Sequence, residues 1–178
     1  MAETIEPKPR NLAKKLEMAA NIGIVITAIL VGIFFFRNYT QRQQSEHVIA
    51  LGSKFALKNV DWQANDKNLV FAVSTQCHFC TESAGFYRKL VEACKQQHVH
   101  TIAVLPQTPT EAQAYLGGEG VSVDEIKQSD LPTLEVSGTP TLILVDHAGA
   151  VKRVWVGKLP SEKENEVMST LGQNVSSL

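Results

Sequence analysis

Two of the three cysteines in this 178-residue chain stand three positions apart within Ser-Thr-Gln-Cys-His-Phe-Cys-Thr-Glu-Ser, residues 74–83. A Cys77–Cys80 pair at that spacing can clip a metal, attach a haem, form a structural staple or cycle as a redox dithiol. Haem attachment requires a histidine directly after the second cysteine, and Thr81 stands there. A structural zinc site asks for four ligands, yet there is no second cysteine pair, and His98 and His100 alternate on the way into a strand. A site made of Cys77, His78 and Cys80 alone stays open, as a metal or cofactor chaperone would use them. A disulfide closing so short a loop gains little from chain entropy, which weakens the staple.

The flanking elements favour the dithiol. Residues 68–74, Asn-Leu-Val-Phe-Ala-Val-Ser, form a bounded apolar run of the kind a buried strand needs. After the pair, Phe86, Leu90, Val91 and Cys94 recur at helical spacing, so one helix is expected from Cys77 to Gln97. A cysteine in the first turn of a helix meets unpaired backbone N–H groups and the positive end of the dipole, which favour thiolate over thiol. Cys77 is therefore the expected nucleophile, aided by His78 when that ring is protonated. Cys80, one turn further in and more buried, is the expected resolving thiol.

The compartment is read from the N-terminus. Residues 18–36, from Met18 to Phe36, carry no charge, and a helix of that length reaches roughly the 30 Å of a bilayer core. No small-residue cleavage site follows Phe36, so an uncleaved transmembrane anchor is expected rather than a signal peptide. Lys8, Arg10, Lys14 and Lys15 precede the span, whereas only Arg37 and Arg42 follow it closely, which places the N-terminus in the cytoplasm. The remainder then lies outside the cytoplasm, at a cell or inner membrane, where disulfides persist. A net charge of −1 and a pI near 6.5 give no basic surplus for phosphate, so nucleic acid is not an expected partner. The expected organisation is a cytoplasmic tail over 1–17, the membrane helix over 18–36, a stalk over 37–51, a folded domain over 52–172 and a flexible tail over 173–178.

Within that domain a short hairpin is expected over 55–62 and a strand over 101–105, then a helix from Pro109 to the Gly117–Gly118 stop and an irregular stretch with one short strand. Residues 141–145 and 150–156 flank the turn Asp-His-Ala-Gly as a second hairpin. Ser161 with Glu164 forms an expected capping box, opening a helix whose apolar face carries Val167, Met168 and Leu171. The fold class is α/β, a mixed sheet covered by helices on both faces. Pro140, directly before a strand, marks a strand edge or tight turn, and a cis peptide after Thr139 is one way to build it.

The strand, the Cys-His-Phe-Cys pair, the long helix, and later Gly-Thr-Pro-Thr followed by a hairpin and a terminal helix together resemble the thioredoxin-like superfamily. The match covers residues 52–171. With the anchor and the longer insertion before Gly138, the chain is more similar to the membrane-anchored TlpA/ResA-like thiol-disulfide oxidoreductases. The resemblance implies Cys77 as attacking thiolate, Cys80 as resolving thiol, Gln76, His78 and Phe79 as active-site neighbours, and Pro140 as a cis proline beside the pair. It also implies that the Thr139 backbone pairs with an extended substrate segment. The implied partners are protein thiols and disulfides outside the cytoplasm and an upstream membrane electron donor or acceptor; no cofactor or metal is expected. Three departures stand out: Gln76 occupies a position where many relatives carry tryptophan, Phe71 stands where thioredoxins carry a buried acid, and no proline separates the cysteines. A thiol peroxidase of the same fold is the alternative enzyme, with Ser74 three residues before Cys77 as a loose stand-in for its threonine. Cys94 reads as a buried inert thiol and Trp62 and Trp155 as packing residues.

Overall fold

The computed structural model describes residues 49–173 together with positions 18, 23, 27 and 29–32. The chain divides into two compact units, Met1–Glu46 and His47–Leu178. In the first, the described positions are helical, and the Thr27 hydroxyl donates to the Gly23 carbonyl at 2.9 Å. The expected span over 18–36, the tail before it and most of the stalk lie outside the described residues. Among those described, no helix is long and apolar enough to cross a membrane.

The second unit is built on five strands: β1 (Lys67–Ala72), β2 (His100–Leu105), β3 (Glu125–Gln128), β4 (Thr141–Asp146) and β5 (Val151–Val156). Their spatial order is β3-β2-β1-β4-β5. β1 pairs in parallel with β2 and antiparallel with β4; β2 and β3 are parallel, and β4 and β5 form the hairpin. The central strands are buried on both faces, which is why β1 reads as a continuous apolar run rather than an alternating one. Successive side chains still point to opposite faces. Leu69 and Phe71 join one core cluster, and Val70 and Ala72 the other.

Four α-helices follow the strands: α1 (His78–Glu82), α2 (Ala84–Gln96), α3 (Pro109–Gly118) and α4 (Ser161–Leu171). Helices flank the sheet as expected, and the buried apolar residues of these four, Ala84 apart, belong to the first cluster. The other face is closed by Ile49, Phe55 and Leu57 and by a 3-10 turn, Leu131–Leu134. The hairpin expected over 55–62 does not form. Residues 52–55 instead run along the β4–β5 turn, with Phe55 N donating to the Gly149 carbonyl at 2.9 Å, and a 3-10 turn, Trp62–Ala64, follows. The β4–β5 turn needs its glycine: Gly149 has φ +76, and a Cβ there would meet Trp62 Cδ1 at 3.0 Å.

The single helix expected over 77–97 is broken at Ser83. Its N–H is shared by the Phe79 and Cys80 carbonyls at 3.1 and 3.2 Å, and its hydroxyl donates to the Phe79 carbonyl at 2.8 Å. Such back-bonding by serine bends a helix. The capping box also sits elsewhere. Thr108 and Glu111 form it at α3, whereas the N-cap of α4 is Pro160, whose carbonyl accepts from Lys163 N and Glu164 N while Ser161 is already helical. On α4, Val167, Thr170 and Leu171 are buried, but Met168 faces outward.

Candidate active site

β1 delivers the cysteine pair to the carboxyl end of the sheet's centre. The loop after it is fixed by side chains of small reach: Ser74 Oγ accepts from Gln76 N at 3.3 Å and from Gln107 Nε2 at 3.2 Å, and Gln107 Oε1 accepts from Thr75 N at 3.4 Å. Cys77 then serves as N-cap of α1. It is joined to Cys80 in a disulfide with Cα atoms 5.2 Å apart. The two sulfurs differ in surroundings, since Cys77 is half-buried and Cys80 is 1% exposed within the first core cluster.

Two backbone groups converge on Cys77 Sγ. The Cys80 N–H donates to it at 3.2 Å, and the Thr139 carbonyl oxygen lies 3.3 Å away on the other side. The first contact favours a thiolate; the second suits a protonated thiol, which could donate to it. The Thr139–Pro140 peptide is cis, Pro140 is buried, and its carbonyl accepts from Gly157 N at 2.7 Å. Thr141 begins β4, antiparallel to β1, and so brings residues 139–140 back to the end of β1 where the cysteines sit.

The other expected neighbours lie around this pair. Gln76 is exposed. Phe79 is one of the exposed large apolar side chains, at 54%. His78 also points outward, with Nε2 3.1 Å from Glu82 Oε1. Glu82 Oε2 lies 3.0 Å from Lys158 Nζ, and the Lys158 ammonium, with His78 beside it, holds the Glu82 carboxyl below its ordinary range. Ser74, the threonine stand-in of the peroxidase alternative, spends its hydroxyl on loop contacts. Among the described residues no three His, Cys, Asp or Glu side chains converge as metal ligands. Asp66, which precedes β1, is a strand length from the cysteines and cannot serve them as a base.

Phe71 fills the interior under the pair, edge-to-face with Tyr87 at 5.5 Å. Burial raises the Tyr87 hydroxyl above its ordinary value. Cys94 is fully buried on α2; burial, with a smaller push from Asp124, moves its thiol up to about 12. Sequence reasoning missed the His78–Glu82 pair, Lys158 and Gln107. The i,i+4 spacing of His78 and Glu82 was a visible signal for their pair. Nothing local marked Lys158 or Gln107, which reach the site only through the tertiary fold.

Solved structures with a similar fold include a putative thiol:disulfide interchange protein DsbE from Chlorobium tepidum, 19% identical, TM-score 0.57, covering 70% of this chain and 99% of that one. The fold is thioredoxin-like. The thioredoxin domain of a thiol-disulfide oxidoreductase from Bacteroides vulgatus matches at 19% identity and TM-score 0.53, over 68% of this chain and 98% of its own. A putative thioredoxin from Neisseria meningitidis matches at 20% and 0.53, over 71% and 93%. Neither a protein-family model nor a curated protein sequence matches the chain. At these identities the likeness is one of fold, and on a thioredoxin-like fold the loop after β1 and the turn before β4 meet at one end of the sheet.

Proposed function

We propose that this chain is a membrane-anchored, extracytoplasmic thiol-disulfide oxidoreductase that exchanges disulfides with protein substrates through Cys77 and Cys80. The observation that carries the reading is the asymmetric disulfide: a half-buried Cys77 against the Thr139 carbonyl before Pro140, and a Cys80 closed into the core. In the reductive direction the Cys77 thiolate attacks a substrate disulfide, releases one substrate thiolate and forms a mixed disulfide. Cys80 then attacks Cys77 Sγ, releases the second substrate thiolate and leaves the Cys77–Cys80 disulfide, so two electrons pass to the substrate. The oxidative direction is the reverse. Thr139 would align an extended substrate segment by backbone pairing, beside Gln76, His78 and Phe79.

The anchor supports the compartment. The uncharged run over 18–36, with more cations before than after it, argues for a cytoplasmic tail over 1–17, a stalk over 37–51, and a catalytic domain over 52–172 on the far side. A dithiol there needs an electron donor or acceptor in or across the membrane. The membrane-anchored TlpA/ResA-like enzymes are the subtype this arrangement fits.

The test is equilibration of the full-length chain in detergent with glutathione buffers, read by alkylation and mass. A Cys77–Cys80 couple near or below roughly −270 mV supports a reductase, and one near roughly −120 mV an oxidant. Cys80→Ser should accumulate mixed disulfides through Cys77, and Cys77→Ser should not. A pair that forms no disulfide at any poise sinks the proposal.

A further inference from the structure

The Glu82 carboxylate joins two elements that flank the disulfide. One oxygen reaches His78, one turn back on α1, and the other reaches Lys158 in the loop between β5 and α4. That loop starts after Val156, which pairs with Thr141, and Gly157 within it holds the Pro140 carbonyl. The contacts therefore close a ring around the redox pair, from Cys77 through His78, Glu82, Lys158 and Gly157 to Pro140 and Thr139, and back to Cys77 Sγ.

Packing does not demand this ring. The His78, Glu82 and Lys158 side chains are 79%, 36% and 51% exposed, so hydration could satisfy each one separately. Isolated surface pairs of this kind add little stability. Their position is another matter. His78 adjoins Cys77 in sequence, and Glu82 sits five residues further, roughly 7–8 Å along the helix axis. The other segments meeting the pair bring no charge: Ser74, Thr75, Gln76 and Gln107 on one side, Gly138, Thr139 and Pro140 on the other. From α3 comes a neutral hydroxyl, Tyr115, 3.3 Å from Thr81.

We propose that Glu82, held by Lys158, is a positioning residue of the redox centre: it orients the His78 ring beside Cys77 and balances the positive charge that the Cys77 sulfur experiences. The proposal deepens the dithiol reading and rests on it. Glu82→Gln leaves Lys158 and His78 unopposed, which favours the Cys77 thiolate and so the reduced protein. Lys158→Gln leaves the carboxylate unopposed and acts the other way. For the Glu82 charge at that separation in a water-like medium, the shift is about two- to threefold in the thiolate equilibrium at low ionic strength; the Lys158 shift has the opposite sign, and both shrink as salt screens them.

The experiment compares the full-length wild type, Glu82→Gln, Lys158→Gln, Lys158→Arg and the double Gln variant. Each is equilibrated with the glutathione couple, in which two glutathione molecules are oxidised as one Cys77–Cys80 disulfide becomes two thiols. Thiolate absorbance is titrated in parallel at low and high salt. Expected are shifts of opposite sign for the two single Gln variants, near-wild-type behaviour for Lys158→Arg and the double variant, and convergence of all at high salt. Shifts of the same sign would mean the pair only braces the loop and would overturn the proposal, as would no shift in either variant. A wild-type chain that never forms the disulfide overturns the dithiol reading instead, which tells the two failures apart.

Discussion

Cys94 allows a prediction whose size follows from its burial. Its thiol is pushed from an ordinary value of 9.0 up to about 12, first by burial and then by Asp124. At about pH 8 a thiol with the ordinary value is roughly one-tenth thiolate, while Cys94 is roughly one part in ten thousand. Because the thiolate is the nucleophile, native-state alkylation of Cys94 should run about a thousandfold slower than that of an exposed thiol before any steric protection is added. The same shift acts on stability. The unfolded chain ionises this thiol above about pH 9 while the folded chain keeps its proton, so the unfolded state binds fewer protons and stability falls as pH rises. The loss begins near the unfolded value and reaches about 4 kcal/mol by the folded one. The assay is a pulse of maleimide on the reduced chain, read by peptide mass, beside denaturant melts from about pH 8 to 11. Cys77 should label first, Cys94 only with unfolding, and Cys94→Ala should flatten the alkaline slope, leaving the Tyr87 share. Rapid Cys94 labelling, or an unchanged slope in Cys94→Ala, would refute the reasoning.

The remaining predictions concern the supports of the site. Gln107→Ala removes both contacts to Ser74 and Thr75, which are long at 3.2 and 3.4 Å; a loss of about 1 kcal/mol in denaturant melts is expected, with faster hydrogen exchange at residues 74–77. Thr108→Ala removes a cap with its reciprocal partner and should cost about 1 kcal/mol, whereas Ser161→Ala, at a position that caps nothing, should fall within about 0.5 kcal/mol of wild type. Phe71→Ala empties a core site against Tyr87 and should cost about 3–5 kcal/mol in the same melts.

What the sequence disclosed and what it hid divide along the range of the interactions. The apolar runs that became β1, β2 and β4 were visible because strands buried on both faces have no alternation to misread, and the turn Asp-His-Ala-Gly announced the β4–β5 hairpin. The cysteine spacing and the Gly-Thr-Pro-Thr run indicated what the two loops carry; that they meet followed only from the family resemblance, since no local signal shows it. The local pattern Ser/Thr-x-x-Glu is met at both Thr108 and Ser161, and only the backbone, with Pro160 rather than Ser161 at the N-cap, decides which one caps. Ser83 breaks the helix through bonds to carbonyls one turn earlier, which composition does not announce. The false hairpin over 55–62 arose from residues whose alternation serves a coil lying on the sheet, with Phe55 and Leu57 inward. Gln107 and Lys158 were invisible for a simpler reason: their partners are 33 and 76 residues away.

The interior around Cys80 sets a constraint on resolution. Among the described residues the buried polar side chains are Asn68, Ser83, Thr101, Thr141 and Thr170, with no carboxylate or imidazole. Phe71 fills the interior under the pair, Glu82 is engaged outside with Lys158 and His78, and Asp66 lies at the far end of β1. With Cys77 tied up in a mixed disulfide, the Cys80 proton must then pass to water or to the departing substrate thiolate, without a protein base tuned near neutral pH. Attack by Cys80 should therefore accelerate about tenfold per pH unit until its own thiol titrates. Stopped-flow release of the second thiol after glutathione disulfide is mixed with the reduced chain reads that step, in a Cys94→Ala background that leaves only the pair. A rate that does not change with pH while Cys80 is still shown to be a thiol by its absorbance would reveal a base and contradict the constraint. A continued rise means that the speed of resolution is set by the pH of the surrounding medium, so burial of Cys80 protects the mixed disulfide for longer in acid than in neutral surroundings.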